Sequence, residues 1–174
     1  MAEKMSGVGK DAVAKQYIGF MLGEEEFTAP LALIQEIIEI PPITYVPNVP
    51  VYVEGVINLR GRVVPVVDLK KRLGLGQMTV SIDSRIIFFR IKGRIVGFIV
   101  NAISQVYELA DQQIEPPSEV LVTRSDSRFI VGICKLANRL PLLLDIPKIL
   151  ESSQSEYAAK KQRQSMSDIA IERH

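Results

Sequence analysis

The chain has 174 residues, 47% of them apolar and 24% charged, which suits one domain with a sizeable core. That hydrophobicity and a formal charge of only +1 exclude disorder along the whole length, and 21 Lys and Arg against 20 Asp and Glu give no basic excess for nucleic-acid binding. The single cysteine, Cys134, excludes an internal disulfide and suits a reducing compartment, and the single histidine is His174, the last residue, which leaves no credible imidazole for a Ser-His-Asp or Cys-His mechanism or a His-based zinc site.

Residues 1–15 are polar, without sustained apolar periodicity or the apolar run of a signal peptide, and read as a flexible N-terminal arm. Residues 17–22 read as a strand that turns through 23–26 into a second strand at 27–29. A helical turn is expected at 31–35, followed by a strand at 36–40 that stops at Pro41-Pro42. Residues 56–59 and 62–68 read as a hairpin around Arg60-Gly61, where glycine supplies the positive φ a tight turn needs. Pro65 cannot donate to a ladder, so its strand is an edge or carries a bulge. Asp68 suits the N-cap of a short helix at 69–73, and Gly74 its stop. Apolar runs such as 63–67 and 86–89 end after four or five residues, against about 20 for a spanning helix, so a cytoplasmic address is expected.

The same unit then returns. GVINLRGRVVPVVDLKKRL from Gly55 matches GICKLANRLPLLLDIPKIL from Gly132 without a gap, pairing Leu59 with Leu136, Arg62 with Arg139 and Asp68 with Asp145. The upstream halves match at a second offset: Phe20 with Phe89, Ile34 with Ile103, Glu39 with Glu108. The second copy, roughly 85–151, is longer in its middle, where ADQQIEPPSEVLVTRSDSR reads as a loop. About five strands and one short helix per copy, with Gly and Pro punctuation, predict a mainly β fold of two small, intertwined barrels packed on a shared core over residues 16–151. The runs 63–67 and 140–144 are apolar at every position, so both faces of these strands are expected to be covered. Residues 152–174 form a polar tail with a basic run at Lys160, Lys161 and Arg163; residues 157–166 suit a short helix.

Chemistry is scarce. Gly74 and Gly76 fail the G-x-G-x-x-G pattern, since Thr79 stands where the third glycine belongs and a helix precedes them. Asp68 and Asp145 are explained by capping. Cys134 aligns with Ile57 and reads as a packed thiol. Arg85, Arg90, Lys92 and Arg94 surround a hairpin and read as a solvated face. These absences argue against an enzyme and for a binding module without cofactor or metal. Arg60 stands out, because Ala137 takes its place in the second copy.

From Gln35 to Leu75 the chain reads QEIIEIPPITYVPNVPVYVEGVINLRGRVVPVVDLKKRLGL, which closely resembles the CheW family of bacterial chemotaxis coupling proteins; YIGFMLGEEEF and the second-copy segment fit as well. The resemblance covers roughly residues 16–151. It implies two five-stranded SH3-like barrels, no enzymatic activity, and a cytoplasmic adaptor at membrane-associated receptor arrays. Such an adaptor bridges the tip of methyl-accepting chemotaxis receptors and the regulatory domain of the histidine kinase CheA, without membrane insertion. It places Ile34, Glu36, Gly55 and Arg60 at receptor-binding positions, and Ile43 and Val46 on the kinase-facing side. Pro30-Leu31-Ala32 departs from the family pattern, and the tail exceeds it. A pilus- or gliding-motility adaptor with the same fold is the main alternative, and an unrelated small-barrel enzyme a remote one.

Overall fold

The computed structural model describes residues 13–118 and 127–151, together with Arg163 and Met166. The opening hairpin, β1 (Lys15–Leu22) and β2 (Glu25–Pro30), is covered on both faces: Ile18, Phe20, Phe27 and Ala29 are buried in the main core and Tyr17 in a second apolar cluster. A 3₁₀ turn at Leu31–Leu33 leads to β3 (Ile34–Glu39), and a long loop to the hairpin β4 (Val53–Leu59) and β5 (Arg62–Asp68). Asp68 then caps the short helix α1 (Leu69–Arg72), accepting a hydrogen bond from the Lys71 amide at 3.1 Å.

The second copy repeats the order with β6 (Arg85–Ile91), β7 (Arg94–Val100), β8 (Ala102–Leu109), β9 (Ile114–Glu115), β10 (Ile130–Cys134), β11 (Leu142–Leu144) and a helix, α2, whose described part is residues 146–151. Asp145 caps α2 as Asp68 caps α1, with the Lys148 amide at 3.1 Å. Strand β9 lies in the segment expected to be a loop, and it makes one sheet six-stranded where five strands were expected. Most of residues 157–166 lies outside the described residues; Arg163 and Met166 are helical.

The two copies exchange their opening hairpins. One sheet runs β3-β6-β7-β5-β4, so the second copy's hairpin sits within the first copy's strands. The other runs β8-β1-β2-β11-β10-β9, the reciprocal arrangement. Parallel pairing of β5 with β7, and of β11 with β2, joins the copies. Phe88, Phe89 and Phe98 of the inserted hairpin are fully buried beside Val66 and Leu69 of the first copy, so the core belongs to both. Arg72 marks the centre of the arrangement. Its guanidinium lies 4.6 Å from the ring centroid of Tyr52 and 4.8 Å from that of Phe129, two aromatics at equivalent positions of the two copies.

The apolar runs are not covered throughout, as the sequence led us to expect. Val63 is 74% exposed and its counterpart Leu140 64%. For Val63 the reason lies at Pro65. Parallel pairing with β7 begins only at Val66, opposite Gly97, so residues 62–65 of β5 have β4 on one side alone. Proline, lacking an N–H, sits where the ladder stops.

Candidate functional site

The β4–β5 hairpin closes with a two-residue turn. Arg60 (φ 52°) and Gly61 (φ 86°) both take the left-handed conformation, and the Gly61 amide donates to Asn58 Oδ1 at 2.8 Å. This turn lifts the Arg60 side chain off the hairpin and carries it to β3. There Nε donates to Glu36 Oε1 and Nη2 to Glu36 Oε2, both at 3.1 Å, a two-pronged carboxylate clamp. The pair thus links the sheet's two edge strands, β3 and β4, through the β4 turn. The Arg60 side chain is 80% exposed and that of Glu36 only 20%. The hydrogen bond from Arg60, helped by its charge, holds the Glu36 carboxyl below the usual carboxylate range, and Glu36 raises the Arg60 guanidinium in return. Both stay ionised at neutral pH. Solvent screens the pair, which therefore adds little to stability.

Gly55 is set by close approach. A Cβ there would run into the Thr44 carbonyl oxygen, with the Thr44 carbonyl carbon at 2.8 Å and Ile43 Cγ2 at 2.9 Å. That space lets residues 43–44 lie on β4, where the Thr44 and Val56 amides donate to each other's carbonyls at 2.9 Å. Gly55 and Ile43, expected on surfaces for different partners, are therefore neighbours. Ile34 stands at the start of β3, opposite Phe89 and half-buried against the core; a register irregularity separates it from Glu36. Val46 lies apart from the ion pair, in the wall of an apolar groove of about 320 Å³ that also takes in Val49, Pro50, Tyr52, Val96 and Leu150. Sequence reasoning named Val46 as kinase-facing and none of the other residues of this groove, which joins both copies. The pairing of Glu36 with Arg60 was also missed, although the alignment of the copies held a signal. Arg60 aligns with Ala137 and Glu36 with Gln105, so both partners are lost together.

The six-stranded sheet encloses different chemistry. Tyr107 donates its hydroxyl to Glu26 Oε2 at 2.7 Å, Ser104 shares the same oxygen, and Arg139 Nη1 stands 3.7 Å from Oε1. The Cys134 thiol is buried, 3.4 Å from the Thr28 hydroxyl, and burial pushes its pKa up. This is the packed thiol expected. Among the described residues no group of three or more His, Cys, Asp or Glu side chains is placed to hold a metal ion, and no helix is long and apolar enough to cross a membrane.

The described site thus combines an exposed charge pair and an apolar groove on a two-sheet β scaffold. The chain belongs to the CheW-like family of chemotaxis signalling scaffolds: the family model described as CheW-like domain matches residues 16–154. It is similar to the chemotaxis protein CheW of Klebsiella aerogenes, 34% identical over 152 residues, covering 86% of this chain and 90% of that one. The CheW of Rhizobium meliloti is 32% identical over 144 residues, covering 83% and 92%. Among solved structures, the scaffolding protein TtCheW from Thermoanaerobacter tengcongensis is 38% identical with a TM-score of 0.71, covering 76% of this chain and 90% of that one.

Proposed function

We propose that this chain couples methyl-accepting chemoreceptors to the histidine kinase CheA, without catalysis of its own and without a cofactor, at cytoplasmic receptor arrays. Receptor contact involves Ile34, Glu36, Gly55 and Arg60; kinase contact involves Ile43 and Val46. The observation that carries this reading is the Arg60 guanidinium, clamped on Glu36 at 3.1 Å yet largely exposed. A planar, always-charged fork suits carboxylates on a partner's surface. Glu36 fixes its direction, so less side-chain freedom is lost when the partner docks. The groove around Val46 lies apart from the clamp, which supports two partners bound at once. Partial likeness to the Pseudomonas aeruginosa protein PilI, 33% identical over 86 residues and covering 48% of it, supports a second reading as an adaptor in another motility pathway.

The test is receptor-stimulated kinase activity with Arg60→Glu. Reversing this charge is expected to weaken coupling about tenfold to a hundredfold, the loss typical of an interface arginine, with circular dichroism and melting unchanged. The double swap Arg60→Glu with Glu36→Arg restores an ion pair but inverts its face. Coupling stays low if a partner reads the arginine. A folded Arg60→Glu variant that still supports full kinase activation refutes the reading.

A further inference from the structure

Strands β5 and β7 run parallel, so the β4–β5 and β6–β7 hairpin tips lie at the same end of the five-stranded sheet. The tips are built alike. Each is a cation followed by glycine, with both residues at positive φ: 52° and 86° for Arg60-Gly61, 51° and 78° for Lys92-Gly93. Such turns favour Asn or Asp in the first position, and a long cation there is an uncommon choice for a left-handed backbone. The reciprocal sheet shows that the fold does not require it. There the aligned tips are Gly23-Glu24 and Ala137-Asn138, with no cation at either. Arg62, Arg90 and Arg94 add to the same end, whereas Arg85, the fourth member of the basic group in the sequence, is at the far end of β6 opposite Val100. Glu36 pairs with Arg60, and Glu151 stands 3.5 Å from Lys92; among the described residues no carboxylate pairs with Arg62, Arg90 or Arg94. In a chain of net charge +1 this is a concentrated local excess.

The apolar element of the patch follows from Pro65. Because β5 and β7 pair only from Val66 and Gly97 onward, their upstream parts diverge and leave a notch of about 280 Å³ lined by Arg62, Val63, Val64, Gly93 and Ile95. The largely exposed Val63 lines it beside the Arg62 cation. An exposed valine set beside cations suits the mixed apolar and charged make-up of a protein interface.

We infer that this notch and its two cationic tips form a docking face for an acidic protein surface that carries an apolar side chain between its carboxylates. The face is continuous with the Glu36–Arg60 clamp, so under the function proposed above it extends the receptor contact onto the second copy's hairpin. Charge complementarity supplies orientation and rapid encounter, and Val63 in the notch supplies an apolar contact.

The experiment measures binding of the purified cytoplasmic fragment of the cognate receptor at low and moderate salt. It compares the wild type, Arg60→Glu, the double variant Lys92→Glu with Arg94→Glu, and Val63→Ala. The double variant is expected to bind at least tenfold more weakly and with a shallower salt dependence. Val63→Ala is expected to bind a few-fold more weakly with its salt dependence unchanged. The neutral double variant Lys92→Gln with Arg94→Gln, which keeps the side-chain stems, falls between and guards against misfolding. If both double variants bind within twofold of the wild type while Arg60→Glu does not, the interface ends at Arg60 and the inference is wrong, with the receptor reading intact. If Arg60→Glu also binds normally, the receptor reading itself falls. Loss of binding to the kinase regulatory domain but not to the receptor fragment likewise overturns the inference.

Discussion

Truncating the two capping aspartates separates what the repeat shares from what the first copy adds. Both side chains cap a short helix through one backbone amide at 3.1 Å. Asp68 makes a further bond: its second oxygen accepts from the buried Met78 amide at 3.1 Å and so ties down the stretch that leads to the second copy. Losing a cap costs about 1 kcal/mol. Stranding the Met78 amide costs roughly 1–3 kcal/mol more. Asp68→Ala should therefore cost about 2–4 kcal/mol and Asp145→Ala about 1 kcal/mol. For a chain of this size that is a fall in Tm of roughly 4–16 °C against 2–4 °C. Asp68→Asn refines the test. Its amide can still cap with the oxygen, but it then turns an NH₂ toward the Met78 amide, donor against donor. It should lose about 1–3 kcal/mol, close to the second bond alone. Thermal and denaturant unfolding of the three variants supplies the comparison. Equal losses for Asp68→Ala and Asp145→Ala, within about 0.5 kcal/mol, would refute the reasoning, because the Met78 bond would then contribute nothing.

Gly55→Ala should destabilise by about 2–4 kcal/mol, since its Cβ meets the Thr44 backbone, and φ at this position is +151°. A melting temperature within 2 °C of the wild type would show that residues 43–44 yield without cost. Alkaline titration tests the six-stranded sheet. Burial first, then Asp111 for Tyr17 and Glu26 for Tyr107, raise both phenols above their ordinary value near 10. The stability they confer is fully present below that value and is lost as pH rises through the raised ones. Denaturant midpoints should thus fall steadily above pH 10, less steeply in Tyr107→Phe; a wild-type midpoint that stays flat over this range would contradict the burial of both hydroxyls.

The duplication was legible because it rests on local pattern. Gly55 to Leu73 repeats at Gly132 to Leu150 with its turn, its strand and its capping aspartate, and the structure keeps all three. Which strands pair was not legible. A hairpin's apolar residues are covered equally beside its own copy's strands or the other's, and the choice rests on non-local parallel pairing such as Val66 with Gly97. Val63 shows the same limit. Its run is apolar throughout, but whether a neighbour covers it depends on where β7 diverges. At the site, Arg60 was visible as an asymmetry between copies, whereas its bond to Glu36 needed the sheet to bring residues 24 positions apart together.

The exchange of hairpins has a consequence for how any partner reads this molecule. Arg60 and Glu36 come from the first copy, and Lys92, Gly93 and Ile95 from the second, yet they stand at one end of one sheet. The apolar groove is composite in the same way, with Val46 and Pro65 facing Val96 and Leu150. Neither copy alone could present either surface, since without β6 and β7 the first copy's β3 and β5 have no strand between them. Their shared core also makes separate unfolding costly, because Phe88, Phe89 and Phe98 would have to leave contacts with both halves. Binding at the cationic end and binding in the groove therefore draw on one cooperative unit. Both surfaces are framed by the same parallel pair of strands, β5 from the first copy and β7 from the second.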